Sequence, residues 1–296
     1  MRAKCRICGG VEIRKYGSVN CYSNKLNYNP SVRRTLFKCV QCKSISVEPL
    51  PTREELSSYY DNYSTIKNEE CGVNRSSLPI IRQLAELLRS GKVLDLGCGF
   101  GDVLATLPSS FKKVGLDVSL DACKEAKRKG IDALCADWEL AAFKSEFDLV
   151  IALDFVEHVD NASKVLNTIG KFLKSGGFVV LETGNADSWA AKILGEDWSY
   201  PAIYGHLQVL SPYALMELAK SAQIETISLI KGRHSPVSLN QALHRGILAY
   251  GFHFLKLASL ILKPVTGSFY PLHNLINRTP PASNFKDHMV LVGQRK

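Results

Sequence analysis

No apolar run in this sequence of 296 residues is long enough to cross a bilayer. The stretch from Ile247 to Leu262 comes near, but His253, Lys256 and Ser259 interrupt it. No export leader is expected, because Met1 to Gly10 is polar and Cys-rich where a basic start, an apolar run and a cleavage site would stand. A cytoplasmic protein is expected. Acidic residues are scarce, 28 against 37 Lys and Arg, and the deficit is uneven. Residues 1–48 hold ten basic and two acidic side chains and 231–296 hold nine and one, whereas 49–230 hold 18 basic and 25 acidic. A mildly acidic centre between basic ends suits an anionic partner, or simply two solvated basic surfaces. The dinucleotide fingerprint G-x-G-x-x-G is absent, which argues against a nicotinamide cofactor. Of seven histidines, five (His234, His244, His253, His273 and His288) follow residue 230, and no two share a compact ligand spacing.

What the chain does have begins with cysteine. Cys5-x-x-Cys8 and Cys39-x-x-Cys42 stand about thirty residues apart, the spacing of a zinc ribbon in which four thiolates close a tetrahedron. Four protein ligands leave no open position, so a structural Zn2+ is expected over residues 1–48. The other five cysteines, Cys21, Cys71, Cys98, Cys123 and Cys135, are scattered. Residues 49–75 read as a helical connector, with Thr52 and Glu55 in a capping box.

From residue 76 the pattern changes. A helix with apolar Leu78, Ile81, Leu84, Leu87 and Leu88 leads to Lys92-Val-Leu-Asp-Leu-Gly-Cys-Gly-Phe-Gly101, a buried strand entering a glycine turn. Apolar runs recur at Val114 to Asp117, Ala133 to Ala136, Phe147 to Leu153 and Phe178 to Glu182, separated by helical stretches. This is the rhythm of a doubly wound parallel α/β sheet. Ile224 to Ile230 and His288 to Gly293 read as two further strands.

An acidic residue, Asp95, before G-x-G-x-G, and a second, Asp117, at the end of the next strand resemble the class I S-adenosylmethionine-dependent methyltransferases. The resemblance covers roughly residues 76–184, and it implies a Rossmann-like, seven-stranded α/β fold with the last strand antiparallel. The methyltransferase domain would span 76–296, with a helical insertion at about 232–284 before that strand. It further implies cofactor contacts from Asp95, Gly97, Cys98, Gly99, Gly101, Asp117, Val118, Asp137, Trp138 and Asp154.

Asp154-Phe-Val-Glu157-His158 is similar to the ubiquinone-biosynthesis O-methyltransferases and to the deoxysugar C-methyltransferases, the latter of which also begin with a zinc ribbon. In some relatives of the first group the corresponding positions hold a divalent cation; a helix-capping cluster is the competing reading. No Asn/Asp-Pro-Pro-aromatic motif follows the fourth strand, against base N-methylation, and no cysteine follows Cys135, against cytosine C5 chemistry. The stretch Leu194 to Pro212 resembles methyltransferases encoded with surface-glycan biosynthesis, with His206 at their recurrent histidine. His206, then His158, are the expected bases for proton removal, with Glu157 beside them. Trp189, Trp198, Tyr200 and Tyr204 could line an acceptor pocket or form a core satellite.

The expected reaction is methyl transfer to oxygen, or carbon, of a sugar, glycolipid or polyprenyl-linked acceptor of anionic character. RNA methylation and a non-catalytic adaptor are the alternatives. Segment 245–263 reads as a lid helix or as an interfacial helix on the inner face of the membrane.

Overall fold

The computed structural model describes residues 4–22, 32–61, 75–233, 247, 250, 251, 253, 254 and 287–296. The Cys5–Cys8 knuckle precedes strand β1 (Ile13–Asn20), and the Cys39–Cys42 knuckle joins β2 (Arg33–Cys39) to β3 (Ile45–Glu48). Helix α1 (Arg53–Asp61) follows. Its capping box is reciprocal: the Thr52 amide donates to Glu55 Oε2 at 2.8 Å and the Glu55 amide to Thr52 Oγ1 at 3.2 Å.

Beyond α2 (Leu78–Leu88) the chain alternates strand and helix: β4 (Gly91–Leu96), α3 (Asp102–Ala105), β5 (Phe111–Asp117), α4 (Leu120–Arg128), β6 (Asp132–Cys135), β7 (Phe147–Leu153), α5 (Ala162–Phe172) and β8 (Leu173–Gly184). Then come α6 (Trp189–Leu194), β9 (Gln208–Val209), α7 (Pro212–Ser221), β10 (Ile224–Gly232) and β11 (His288–Arg295). The main sheet has seven strands in the order β10-β11-β8-β7-β4-β5-β6, and β11 runs antiparallel to both neighbours. Strands β4, β5, β7 and β8 are apolar on both faces because helices cover both sides, which explains their continuous apolar runs. Strand order reverses at β4, which pairs β5 on one side and β7 on the other. Doubly wound sheets open their ligand crevice at such a switch point, beyond the carboxyl ends of the strands.

The ribbon is not a separate bead. Its sheet runs β1-β2-β3-β9, so residues 208–209 complete a sheet begun before residue 50. Ser211 caps α7 by accepting the Ala214 amide at 3.0 Å, and its hydroxyl donates to the carbonyl of Cys42. Cys5, Ile7, Cys39 and Cys42 share one apolar cluster with β7, α5 and α7. A boundary at residue 48 therefore separates sequence segments that pack as one body.

Most of the expected insertion, and Cys71, lie outside the described residues. Within 245–263, Tyr250 packs against the cluster holding Trp198, and His253 Nδ1 stands 2.8 Å from Asp197 Oδ2, so this part is tied to the core. Among the described residues no helix is long and apolar enough to cross a membrane.

Candidate active site

At the switch point lies a cavity of about 470 Å³. Its floor is built from the ends of four strands: Gly97 after β4, Asp117 and Val118 after β5, Asp137 and Trp138 after β6, and Asp154 and Phe155 after β7. Its other wall comes from Leu56, Tyr59 and Tyr60 of α1, a helix from outside the α/β domain.

Asp117 is oriented by the loops it joins. Its Oδ2 accepts the Gly99 amide and its Oδ1 the Ser119 amide, each at 2.9 Å, which fixes the carboxylate at the rim of the cavity. Gly97 has φ +73, and a Cβ there would stand 2.9 Å from the Phe155 ring. Any larger residue would fill the cradle and strain the turn. Asp137 caps a short 3-10 turn by accepting the Glu139 amide at 3.0 Å, which places Trp138 edge-on to Phe155.

Several expected cofactor residues support the cavity without lining it. Gly101 also has positive φ, but its missing Cβ makes room for Ile131 and Ala126, so it serves helix packing. Cys98 is buried, with its thiol on the Gly99 carbonyl. Gly99 contributes its amide to Asp117. Asp95 is buried below the floor, where loss of solvent raises its carboxyl to about 7 against the opposing charge of Arg75. Arg75 was not singled out by sequence, having no motif around it; its Nη1 donates to Asp154 Oδ2 at 2.6 Å.

The two histidines lie ring against ring, centroids 4.8 Å apart, but only His158 reaches the cavity. His206 is buried behind it and donates from Nδ1 to the Tyr200 carbonyl at 2.8 Å. Burial and the neighbouring His158 keep it well below the usual histidine range, hence neutral. Glu157 is also buried: one oxygen accepts from Thr183 at 2.9 Å and the other from the Tyr200 hydroxyl. Burial, helped by the charge of Asp154, raises it to about 7. With both oxygens engaged, Glu157 braces the loop from below, and it neither caps a helix nor faces the cavity. Glu157, His158 and His206, each singled out from the sequence, have ligand atoms within 4.8 Å of one another. Of the two expected bases, the structure puts His158 on the cavity and His206, the first expected, behind it. Of the four aromatics after β8, Trp198, Tyr200 and Tyr204 are core residues and Trp189 is exposed, so none lines the cavity.

His288 titrates in the same buried region. Burial disfavours its charge, but the hydrogen bond and charge of Asp287, with Oδ1 at 2.9 Å, and the charges of Asp154 and Glu157 together outweigh that and hold His288 at about 9. Asp95, Glu157 and His288 are thus all raised on folding, from ordinary values of 3.8, 4.5 and 6.5. A raised value stabilises the fold below the unfolded pKa and the contribution disappears as pH climbs through the folded one. Urea midpoints of zinc-loaded protein should therefore fall between about pH 6 and pH 9, and His288→Gln should flatten the upper half of that decline. A midpoint rising over this range would contradict the assignment.

At the other end of the molecule the four knuckle sulfurs converge. Cys5 and Cys42 are 3.8 Å apart, Cys8 and Cys39 3.6 Å, and all four lie within 4.8 Å of one another. A tetrahedron with Zn–S bonds of about 2.3 Å has edges of about 3.8 Å. The amides of Gly10 and Cys42 point at Cys8 and Cys39 sulfurs at 3.4 Å, as they would toward thiolates. The thiol of Cys42, hydrogen-bonded to Cys5, lowers the latter to about 5.

Comparison with known proteins fits this geometry. Residues 74–229 match the family described as Methyltransferase domain. The ubiquinone biosynthesis O-methyltransferase of Thiobacillus denitrificans is 28% identical over 166 residues, 51% of this chain and 72% of that protein. The (S)-coclaurine N-methyltransferase of Papaver somniferum is 26% identical over 196 residues, 61% of this chain and 55% of that one. Among solved structures, a SAM-dependent methyltransferase of Thermotoga maritima superposes with a TM-score of 0.52 at 17% identity, covering 81% of this chain and 98% of the other.

Proposed function

Since the chain belongs to the Methyltransferase domain family and is an S-adenosylmethionine-dependent methyltransferase, we propose that it methylates a hydroxyl oxygen of a small-molecule acceptor, with His158 as the base. One observation carries this reading. His158 lines the cavity, and its Nδ1 lies 3.0 Å from the Gly205 carbonyl, which can only accept, so the proton sits on Nδ1 and Nε2 is the basic nitrogen of the ring.

The cofactor, held by Asp117, Asp137 and the Gly97 turn, supplies a sulfonium methyl. The protein's own residues do the rest. Nε2 of His158 takes the hydroxyl proton as the acceptor oxygen becomes nucleophilic, and the Gly205 carbonyl steadies the resulting imidazolium. Leu50, Pro51, Leu56 and Leu207 give the cavity an apolar side that excludes water.

Among the described residues the cavity carries Asp117, Asp137, Glu139, Asp154 and Asp160 but Arg53 as its one cation, so the reacting end of the acceptor is neutral. An anionic group on the acceptor, such as a phosphate of a polyprenyl-linked sugar, stays at the mouth near Arg53. The ribbon holds Zn2+ through Cys5, Cys8, Cys39 and Cys42 as a structural ion.

The test is a screen of labelled cofactor against glycans, polyprenyl-linked phenols and sugars, with transfer RNA and small amines as controls. Label should enter hydroxylated acceptors as an ether. Label in RNA or amines alone would overturn the reading.

A further inference from the structure

The site takes one of its walls from the connector between the ribbon and the α/β domain, and that wall reaches the base. Tyr60 Oη lies 3.0 Å from Nδ1 of His158, and the two rings meet edge-on at 6.2 Å and 69°. Its neighbour Tyr59 is buried, with its ring 5.5 Å from that of Tyr204 and 5.2 Å from that of Tyr60, so α1 is fixed where it delivers the hydroxyl. Gly205 completes the seat: a Cβ there would stand 2.8 Å from both His158 Nδ1 and Tyr59 Cε1.

From this geometry we infer that Tyr60 is a positioning residue for His158, so that the segment preceding the α/β domain is part of the active site. The inference rests on His158 acting as the base. The Gly205 carbonyl fixes the proton on Nδ1, and a hydroxyl can accept as well as donate. Tyr60 therefore offers a second oxygen to the same N–H, in a three-centre bond with Gly205. Two acceptors on different segments define the ring plane, where one would leave it free to swing. They also hold Nδ1–H more strongly once Nε2 has been protonated, because donation from a cation is the stronger bond.

Long-range proton–nitrogen spectra of the imidazoles test this without knowledge of the acceptor. The sample is the zinc-loaded 296-residue chain with S-adenosylhomocysteine, and His158→Gln identifies the resonances. Wild-type His158 should show one neutral tautomer with the proton on Nδ1. In Tyr60→Phe, whose ring keeps the wall intact, that single signal should broaden or split as the imidazole samples more than one ring orientation. Tyr60→Leu should behave alike. An unaltered, single Nδ1–H signal in both variants would overturn the role of Tyr60 and leave His158 standing as base. A wild-type proton on Nε2 would overturn both.

Discussion

Replacing His158 by alanine is expected to lower turnover on the acceptor found by screening on the order of 10²- to 10⁴-fold, the range of a lost general base. Cofactor affinity should change little, because Asp117, Asp137 and the Gly97 turn lie on other strands and none of them depends on the imidazole. His206→Asn provides the contrast. Its ring is buried behind His158 and donates to the Tyr200 carbonyl, a bond an amide can keep, so the loss should be far smaller. Both enzymes would be assayed with the same acceptor over a range of pH. If His206→Asn abolished turnover and His158→Ala spared it, the expectation drawn from sequence would be right and the structural order of the two would be wrong.

The second large effect concerns zinc. Removing it with a chelator, or replacing Cys39 by serine, should lower the melting temperature by more than ~10 °C, since structural zinc contributes about 10–16 kcal/mol in isolated fingers. The loss should not stay within the ribbon. Strand β9 pairs with β3, and Ser211 links the Cys42 carbonyl to the start of α7. Leu207, next to His206, receives Arg6 on its carbonyl at 3.3 Å. Collapse of the knuckles would therefore disturb the segment that holds Gly205 against His158, and turnover should fall together with stability. Calorimetry of metal-loaded and chelated protein, with metal content measured, checks this. Full stability and activity in metal-free protein would rule out a structural ion.

Much of this was legible in the sequence because it is local. The strand Phe147–Leu153 shows as an unbroken apolar run, and Thr52 with Glu55 announces a helix start within four residues. The glycine turn and Asp117, which form part of the cavity floor, stand in two short motifs, and the paired cysteines carry the ribbon. What sequence did not show depends on distant pairings. Tyr60 meets His158 across 98 positions, Arg75 meets Asp154 across 79, and β9 joins the ribbon from residue 208. No periodicity encodes such contacts. The burial of His206 and Asp95 belongs to the same class, since a polar residue beside a motif looks alike whether it faces the cavity or supports it. Gly205 carries no signal of its own in the sequence, although its missing side chain is what makes room for His158.

The central claim is that the cleft at the sheet's switch point holds S-adenosylmethionine through Asp117. Calorimetric titration of zinc-loaded wild-type protein and of Asp117→Ala with the cofactor measures this directly. The account predicts saturable one-to-one binding by wild type, weakened on the order of tenfold or more in the variant, which loses a carboxylate acceptor for the ribose hydroxyls. Equal affinity in both proteins, or no binding to either, would contradict it.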